Sequence, residues 1–310
     1  MSARAWALFA AVSVIWGMPY LFIKIAVDEI SPSLVAWSRL TLAALILLPL
    51  AWKLGALRGL GARWRILTAF AAVEMAVPWP LLGYGEVHIS SSLAAILVAT
   101  VPLFVALLAT RFDHSERPTV TRFVGMLIGL GGVIALVGID IGGERDELLG
   151  ALAILVVAFL YAVGPMIVKR RLSDLDPLGP VAASLGIAAL LVTPFALASL
   201  PDSTPSADTF ASIAVLGLLC SALAFLLFFR LIAEVGPGRA TVITYINPVV
   251  ALALGVAVLD ESVTTGVVVG LLLILAGSWL STDGRVPPGL AALAGRFRGR
   301  SRARGSEAPG

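Results

Sequence analysis

Ten apolar stretches, each close to twenty residues long, leave this chain few ways to fold. They run over 5–26, 32–52, 66–85, 91–110, 120–139, 149–168, 178–200, 209–231, 239–259 and 264–282. A helix rises about 1.5 Å per residue, so twenty residues cross roughly 30 Å of hydrocarbon. No water is available there, so each stretch must satisfy its own backbone as a helix. Only 13% of the residues are charged and 59% are hydrophobic, whereas soluble domains carry about 25% charge. The expectation is an all-α integral membrane protein with ten transmembrane helices and no soluble domain of useful size. Residues 283–310 read as a basic, disordered cytoplasmic tail. The first stretch follows only Arg4, but it has the length of a full span and its features recur later, so it reads as a helix rather than a signal peptide.

The basic residues set the orientation. With the N-terminus in the cytoplasm, nineteen Lys and Arg residues fall on the cytoplasmic side, and only Lys24 and Arg145 fall opposite. Lys and Arg decide topology, and acids contribute little. Both termini are therefore expected in the cytoplasm, in a cell (inner) membrane. The opposite loops are assigned the acids, among them Asp28, Glu29, Glu86, Asp260 and Glu261. The net charge of +3 follows from this topology and is no nucleic-acid signal.

A shift of 145 residues aligns the two halves: Trp16 with Tyr161, Lys24 with Lys169, Pro32 with Pro177, Pro49 with Pro194, Glu116 with Glu261 and Gly125 with Gly270. Pro102 and Pro248 differ by 146, one residue of slippage. Each unit, 5–139 and 149–282, holds five spans. Five is odd, so the second unit enters from the other side, giving two inverted five-helix repeats. Secondary transporters recurrently use this architecture, with the substrate near the midplane between the repeats.

Several segments carry a resemblance. They are "VIWGMPYLFIKIA", "SLVAWSRLTLAALILL", "SSLAAILVATVPLFVALLA" and "SERPTVTRFVGMLIGLGGVIALVG" in the first half, and "GPGRATVITYINPVVALALGVAVLDESVTTGVVVGLLLILAGSWLS" in the second. The order of Pro102, Glu116 and Gly125, repeated as Pro248, Glu261 and Gly270, resembles the EamA type of the drug/metabolite transporter (DMT) superfamily over about residues 5–282. The resemblance implies a ten-helix transporter of small metabolites, often an amino-acid exporter, with a central cavity lined from both repeats. Glu74 stands outside the shared pattern.

Glu74 lies about nine residues after Arg65, roughly 13 Å into the bilayer. A centred acid costs about 2.5–3.5 kcal/mol on insertion scales, so it faces a cavity or a partner. It is a binding or proton-carrying carboxylate, or else a structural ion pair or hydrogen-bonded acid. Arg39 sits about 10 Å from the other surface, within reach of Glu74. Its fork suits a carboxylate, although a structural or gating role competes. Trp16 and Tyr161 occupy equivalent central positions and line a cavity or pack. Trp79, between Pro78 and Pro80, lies where two missing donors loosen the helix. Tyr245 and Asn247 precede Pro248, and Thr100 precedes Pro102. These polar groups either satisfy carbonyls freed at the prolines or meet substrate. His88 reads as a surface histidine rather than a proton relay. Glu116 and Glu261 read as helix-start elements of the fifth and tenth spans. Gly125, Gly129 and Gly132 have the small-residue spacing of close helix contacts.

The chain has no Walker A loop, no HExxH and no aspartyl pair, and only one cysteine and two histidines. It reads as a non-enzyme with no cofactor or metal. The expected activity is secondary transport of small metabolites, amino acids or their relatives, by alternating access in the direction of export. Protons are the candidate coupling ion and lipids the surroundings, with the oligomeric state open. The alternative is a non-transporting scaffold or sensor subunit, or a lipid flippase.

Overall fold

The computed structural model describes residues 1–112, 119–140, 144–236 and 240–281. Glu116 and the 283–310 tail lie outside these residues. Among the described residues every regular element is helical. Nine helices are long and apolar enough to cross a membrane: α1 (Ala3–Val27), α2 (Pro32–Lys53), α3 (Leu60–His88), α4 (Ser91–Leu108), α5 (Val120–Gly138), α6 (Arg145–Arg171), α7 (Leu178–Leu197), α8 (Ala207–Val235) and α9 (Val242–Leu259). A shorter apolar helix, α10 (Thr265–Ser281), follows. Leu45, Leu190, Phe195 and Leu272 stand exposed on these helices, as expected where the surrounding solvent is hydrocarbon.

Serines start several helices. Ser2, Ser31, Ser90 and Ser206 each accept from the backbone N–H three residues on, capping α1, α2, α4 and α8. Prolines and wide turns interrupt them. Pro19 has no N–H and divides α1 after Gly17. Within α3, residues Ala72–Ala76 form a π turn, closed by Val77 N–H donating to the Ala72 carbonyl at 3.0 Å. Pro78 and Pro80 follow, so the Glu74 and Ala76 carbonyls have no donor four residues on. A second π segment, Val215–Leu223, occupies the middle of α8. Such segments concentrate at functional sites.

The helices pack mainly as α5 with α10, α2 with α7, α3 with α6, α1 with α8, α2 with α8, α3 with α7, α1 with α9, α4 with α6 and α4 with α9. Exchanging the first five helices with the last five leaves this set of pairs unchanged. Glycines allow the closest approach. A methyl on Gly132 would lie 2.9 Å from the Ile274 backbone nitrogen, and one on Gly125 would meet Ser281 N and lie 2.8 Å from the Gly277 carbonyl. Small residues are the usual way to bring membrane helices together when no hydrophobic force drives them.

Contacts between connections mark two ends of the bundle. Arg4 pairs with Glu234 at 2.9 Å, and Arg63 with Asp174 at 2.6 Å, at the end holding the N-terminus. At the far end, the Ser206 N–H donates to Glu29 at 2.6 Å, and Ser31 and Ser199 hydroxyls meet at 2.7 Å.

One expectation is corrected here. Glu261 precedes α10 but does not start it. Its carboxylate accepts from Ser91 N–H at 2.7 Å, from Ser92 N–H at 3.1 Å and from the Ser92 hydroxyl. It therefore caps α4. The cause is the left-handed turn at Asp260 (φ 53°), which ends α9 and returns the chain across the α4 N-terminus, where the dipole favours an anion.

Candidate functional site

Four of the expected site residues come together: Arg39 on α2, Glu74 and Trp79 on α3, and Tyr161 on α6. Arg39 is 7% exposed. Its Nε donates to Ser221 Oγ on α8 at 2.8 Å, and its Cζ lies 3.9 Å from the Trp79 ring centroid. A desolvated cation over an indole gains about 2 kcal/mol. Ser221 is held in turn by donating to the Leu216 carbonyl, five residues back, at 2.8 Å. The π segment of α8 thus positions the hydroxyl that fixes Arg39. Among the described residues the guanidinium makes no further hydrogen bond, so its terminal nitrogens are free to hold an anion.

Glu74 lies in the π turn of α3, where widening turns its side chain toward α6. There Gly164 has no side chain, and Glu74 Oε2 occupies the space a Cβ would take. That oxygen is buried and has no hydrogen-bond partner. An unsatisfied buried acceptor costs about 1–3 kcal/mol. Glu74 and Arg39 form no direct ion pair; the guanidinium is spent on Ser221 and the Trp79 face instead. Tyr161, nearly one turn before Gly164, has Arg39, Glu74 and Trp79 as polar neighbours. The cluster therefore presents a guanidinium fork and a carboxyl oxygen, both with unused capacity, between aromatic rings.

The other expected residues are occupied elsewhere. Trp16 packs against Phe225 and Phe228, with centroids 5.7 and 4.7 Å apart, and fastens α1 to α8. Asn247 donates its amide to the carbonyls of Ser13 at 3.1 Å and Ile243 at 2.9 Å. It thereby ties the turn before Pro248 to α1. Thr100 donates to the Leu97 carbonyl at 2.6 Å where α4 breaks. Tyr245 reaches the Ser278 carbonyl at 3.4 Å, and the Ser278 hydroxyl donates to the Ala99 carbonyl at 2.9 Å. These groups tie α10 to the breaks in α4 and α9.

Glu86 was missed as a site residue. The sequence assigns it to a polar loop, but it lies inside α3, fully buried, with neither carboxyl oxygen partnered. Its neighbour Lys24 donates to the Glu86 carbonyl at 2.5 Å and to the Ile89 carbonyl at 3.3 Å. The signal was the spacing: no further proline follows Pro80 before His88, and the helix that Pro78 opens runs on through residue 86. A cavity of about 570 Å³ opens at this end, lined by Lys24, His88, Glu147 and Glu261 among others. His88 is half-buried there, edge-on to Tyr84 at 4.7 Å.

Comparison with known proteins accords with this architecture. The model of the EamA-like transporter family matches twice, over residues 4–138 and 148–282. The uncharacterized transporter YoaV of Bacillus subtilis is 25% identical, over 88% of this chain and 94% of its own length. The uncharacterized inner membrane transporter YedA of Escherichia coli K12 is 30% identical, over 83% of each chain. A protein named as a probable terminal-alkyne amino-acid exporter, from Streptantibioticus cattleyicolor, is 29% identical over 90% of this chain and 93% of its own. One crystal structure shares the fold at a TM-score of 0.64, with 18% identity, covering 91% of this chain and 97% of that one. The chain is a multi-pass membrane protein and belongs to the EamA-like transporter family.

Proposed function

We propose that this protein is a secondary transporter that exports an amino-acid-like metabolite by alternating access between two inverted five-helix halves. The observation that carries the substrate class is the Arg39 guanidinium, buried and fixed through Nε and its ring contact, with its terminal nitrogens unspent. Such a fork takes a carboxylate in a bidentate grip. Glu74, with its orphaned oxygen, takes the ammonium of the same zwitterion, and Trp79 and Tyr161 flank the solute. The relative named as an amino-acid exporter supports the same class.

The helix pairs, unchanged when the halves are exchanged, support the inverted arrangement. The 17 residues of α10 reach about 26 Å, enough for a tenth span. The charge asymmetry of the connections supports cytoplasmic termini. The test is flux of L-amino acids through proteoliposomes, with Arg39→Ala and Glu74→Gln beside the wild type. Saturable flux that both substitutions weaken is expected. Absence of flux for every amino acid, or flux indifferent to both substitutions, sinks the proposal.

A further inference from the structure

Glu86 plays no part in the solute site, yet it is the most fully sealed carboxyl among the described residues, at 0% exposed. Both its oxygens lack a hydrogen-bond partner. An ionised carboxylate in that state is strongly disfavoured; such a group either takes a proton or acquires a cation. The adjacent cation is Lys24, and its ammonium is directed elsewhere. It donates to the carbonyls of Glu86 and Ile89 at the C-terminal end of α3, 2.5 and 3.3 Å away, where the helix dipole favours a positive charge. Among the described residues no ion pair joins Lys24 to the Glu86 carboxyl.

The groups facing Glu86 come from several elements. α1 contributes Lys24 and Tyr20, α2 contributes Arg39, and the α9–α10 connection contributes Glu261. On its own helix, His88 lies two residues on. α6 packs against this stretch of α3 through the uncharged Gly150 and Ile154, and its Glu147 lines the adjoining cavity together with Asp28. α4 starts here with Ser91, whose buried hydroxyl also lacks a partner. Glu261 opposes a second negative charge, and Lys24 is placed to neutralise one. Lys24 also lines the cavity of about 570 Å³, so one side chain touches both the cavity and the residue that carries the sealed carboxyl.

We propose that Glu86 is a proton-binding site, loaded from this cavity, with the Lys24 ammonium as the cation that replaces the proton when it leaves. On loading, a proton from cavity water bonds to a Glu86 carboxylate oxygen, and the ammonium moves from the carboxylate to the carbonyls of residues 86 and 89. The ammonium lies on these two carbonyls in the structure, with the carboxyl unpaired, as the loaded state requires. On release the O–H bond breaks, the proton returns to water and the ammonium swings onto the carboxylate. One positive charge is gained per loading, which is what coupling to a proton gradient requires. That coupling role rests on the transport proposal, whereas the site itself does not.

The test reads the carboxyl directly. Infrared difference spectra of the purified protein in lipid vesicles, taken between acidic and alkaline pH, report the protonated-carboxyl C=O stretch. A band lost in Glu86→Gln and kept in Glu74→Gln is expected. In Lys24→Met the band should persist to higher pH, because the replacing cation is gone. A Glu86→Gln spectrum identical to wild type overturns the proposal. Should that variant fail to fold, Glu86→Asp must move the band and its midpoint, and an unmoved band overturns it equally. In proteoliposomes holding a mixture of L-amino acids, a pH gradient should accelerate wild-type efflux, and Glu86→Gln should lose that acceleration. Acceleration equal to wild type refutes the coupling role of Glu86. A wild type with the Glu86 band but no amino-acid flux supports the site and refutes the transport proposal.

Discussion

Gly164→Ala isolates the role of Glu74 without touching Glu74. A Cβ at residue 164 would collide with Glu74 Oε2 and lie 2.9 Å from Cδ, but would sit 3.5 Å from Cβ of Glu74, an ordinary contact. The stem keeps its place and only the carboxyl end must turn away. Moving one χ angle off its preferred well costs about 0.5–1.5 kcal/mol. Replacing a helical glycine by alanine returns about 0.4–1 kcal/mol through the unfolded state. These terms nearly cancel, so thermal stability should stay within about 1 kcal/mol of wild type. Solute binding should not. A hydrogen bond to a charged group is worth about 1.5–3 kcal/mol, so the displaced carboxyl weakens amino-acid affinity roughly 10- to 150-fold. The assay is L-amino-acid counterflow in proteoliposomes, run beside Glu74→Gln and the double variant. Both single changes remove one interaction, so their effects should not add. Wild-type affinity in Gly164→Ala, or a double variant losing the product of the two effects, would refute the assignment of Glu74 to the solute.

Two further changes test packing and the exposed ion pair. Gly277→Ala places a methyl 2.6 Å from the Gly125 carbonyl oxygen and 2.6 Å from Gly129 Cα, backbone atoms that cannot rotate away. It should cost about 1–3 kcal/mol in detergent unfolding, whereas Gly131→Ala, with open space around it, should cost nothing. Asp174 receives both Arg63 terminal nitrogens at 2.6 Å. The guanidinium holds its carboxyl below the usual range. The folded value is thus the lower one, so the stabilisation is complete above the unfolded value of about 3.9 and is lost as pH falls through the folded value. Melting of the wild type and of Asp174→Asn should therefore differ at neutral pH and converge in strong acid. A difference that persists in strong acid contradicts the ion pair's contribution.

The helices were legible because period, length and charge act locally. Pro78, Pro102 and Pro248 likewise announced breaks, since a missing N–H leaves a carbonyl without its donor, although Pro49, Pro165 and Pro194 lie inside continuous helices. Gathering Arg39, Glu74, Trp79 and Tyr161 was partly legible, from depth along each span and the map between halves. What the partners would be was not. Depth allowed an Arg39–Glu74 ion pair, but which side chain meets Arg39 depends on the rotation of α8, and the π segment there places Ser221 instead. The π segment of α8 contains no proline, so nothing in the sequence marked it. Glu86 failed for a related reason: acids near a span end look like loop acids until packing shows whether the helix continues. Glu261 failed because its helix terminus is 170 residues away in sequence.

The distribution of the polar residues bears on how the proposed cycle works. The 145-residue map sends Arg39 to Ser184, Glu74 to Leu219, Trp79 to Ala224 and Glu86 to Leu231. Arg39, Glu74, Glu86 and Lys24 therefore belong to the first half, and Glu261 is the one second-half charge facing Glu86. Where the second half meets Arg39 and Glu74 it supplies Gly164, Ser221 and the Tyr161 ring. A zwitterion held by Arg39 and Glu74 would stay with α2 and α3 throughout the cycle, while α6 and α8 move across it. Small residues on the moving face suit that division, because they carry no charge that must be solvated again at each step. Ser221 is the one hydrogen bond that crosses between the halves to Arg39. Breaking this bond to a charged group costs about 1.5–3 kcal/mol, low enough for the two faces to exchange and high enough to favour one of them when no solute is bound.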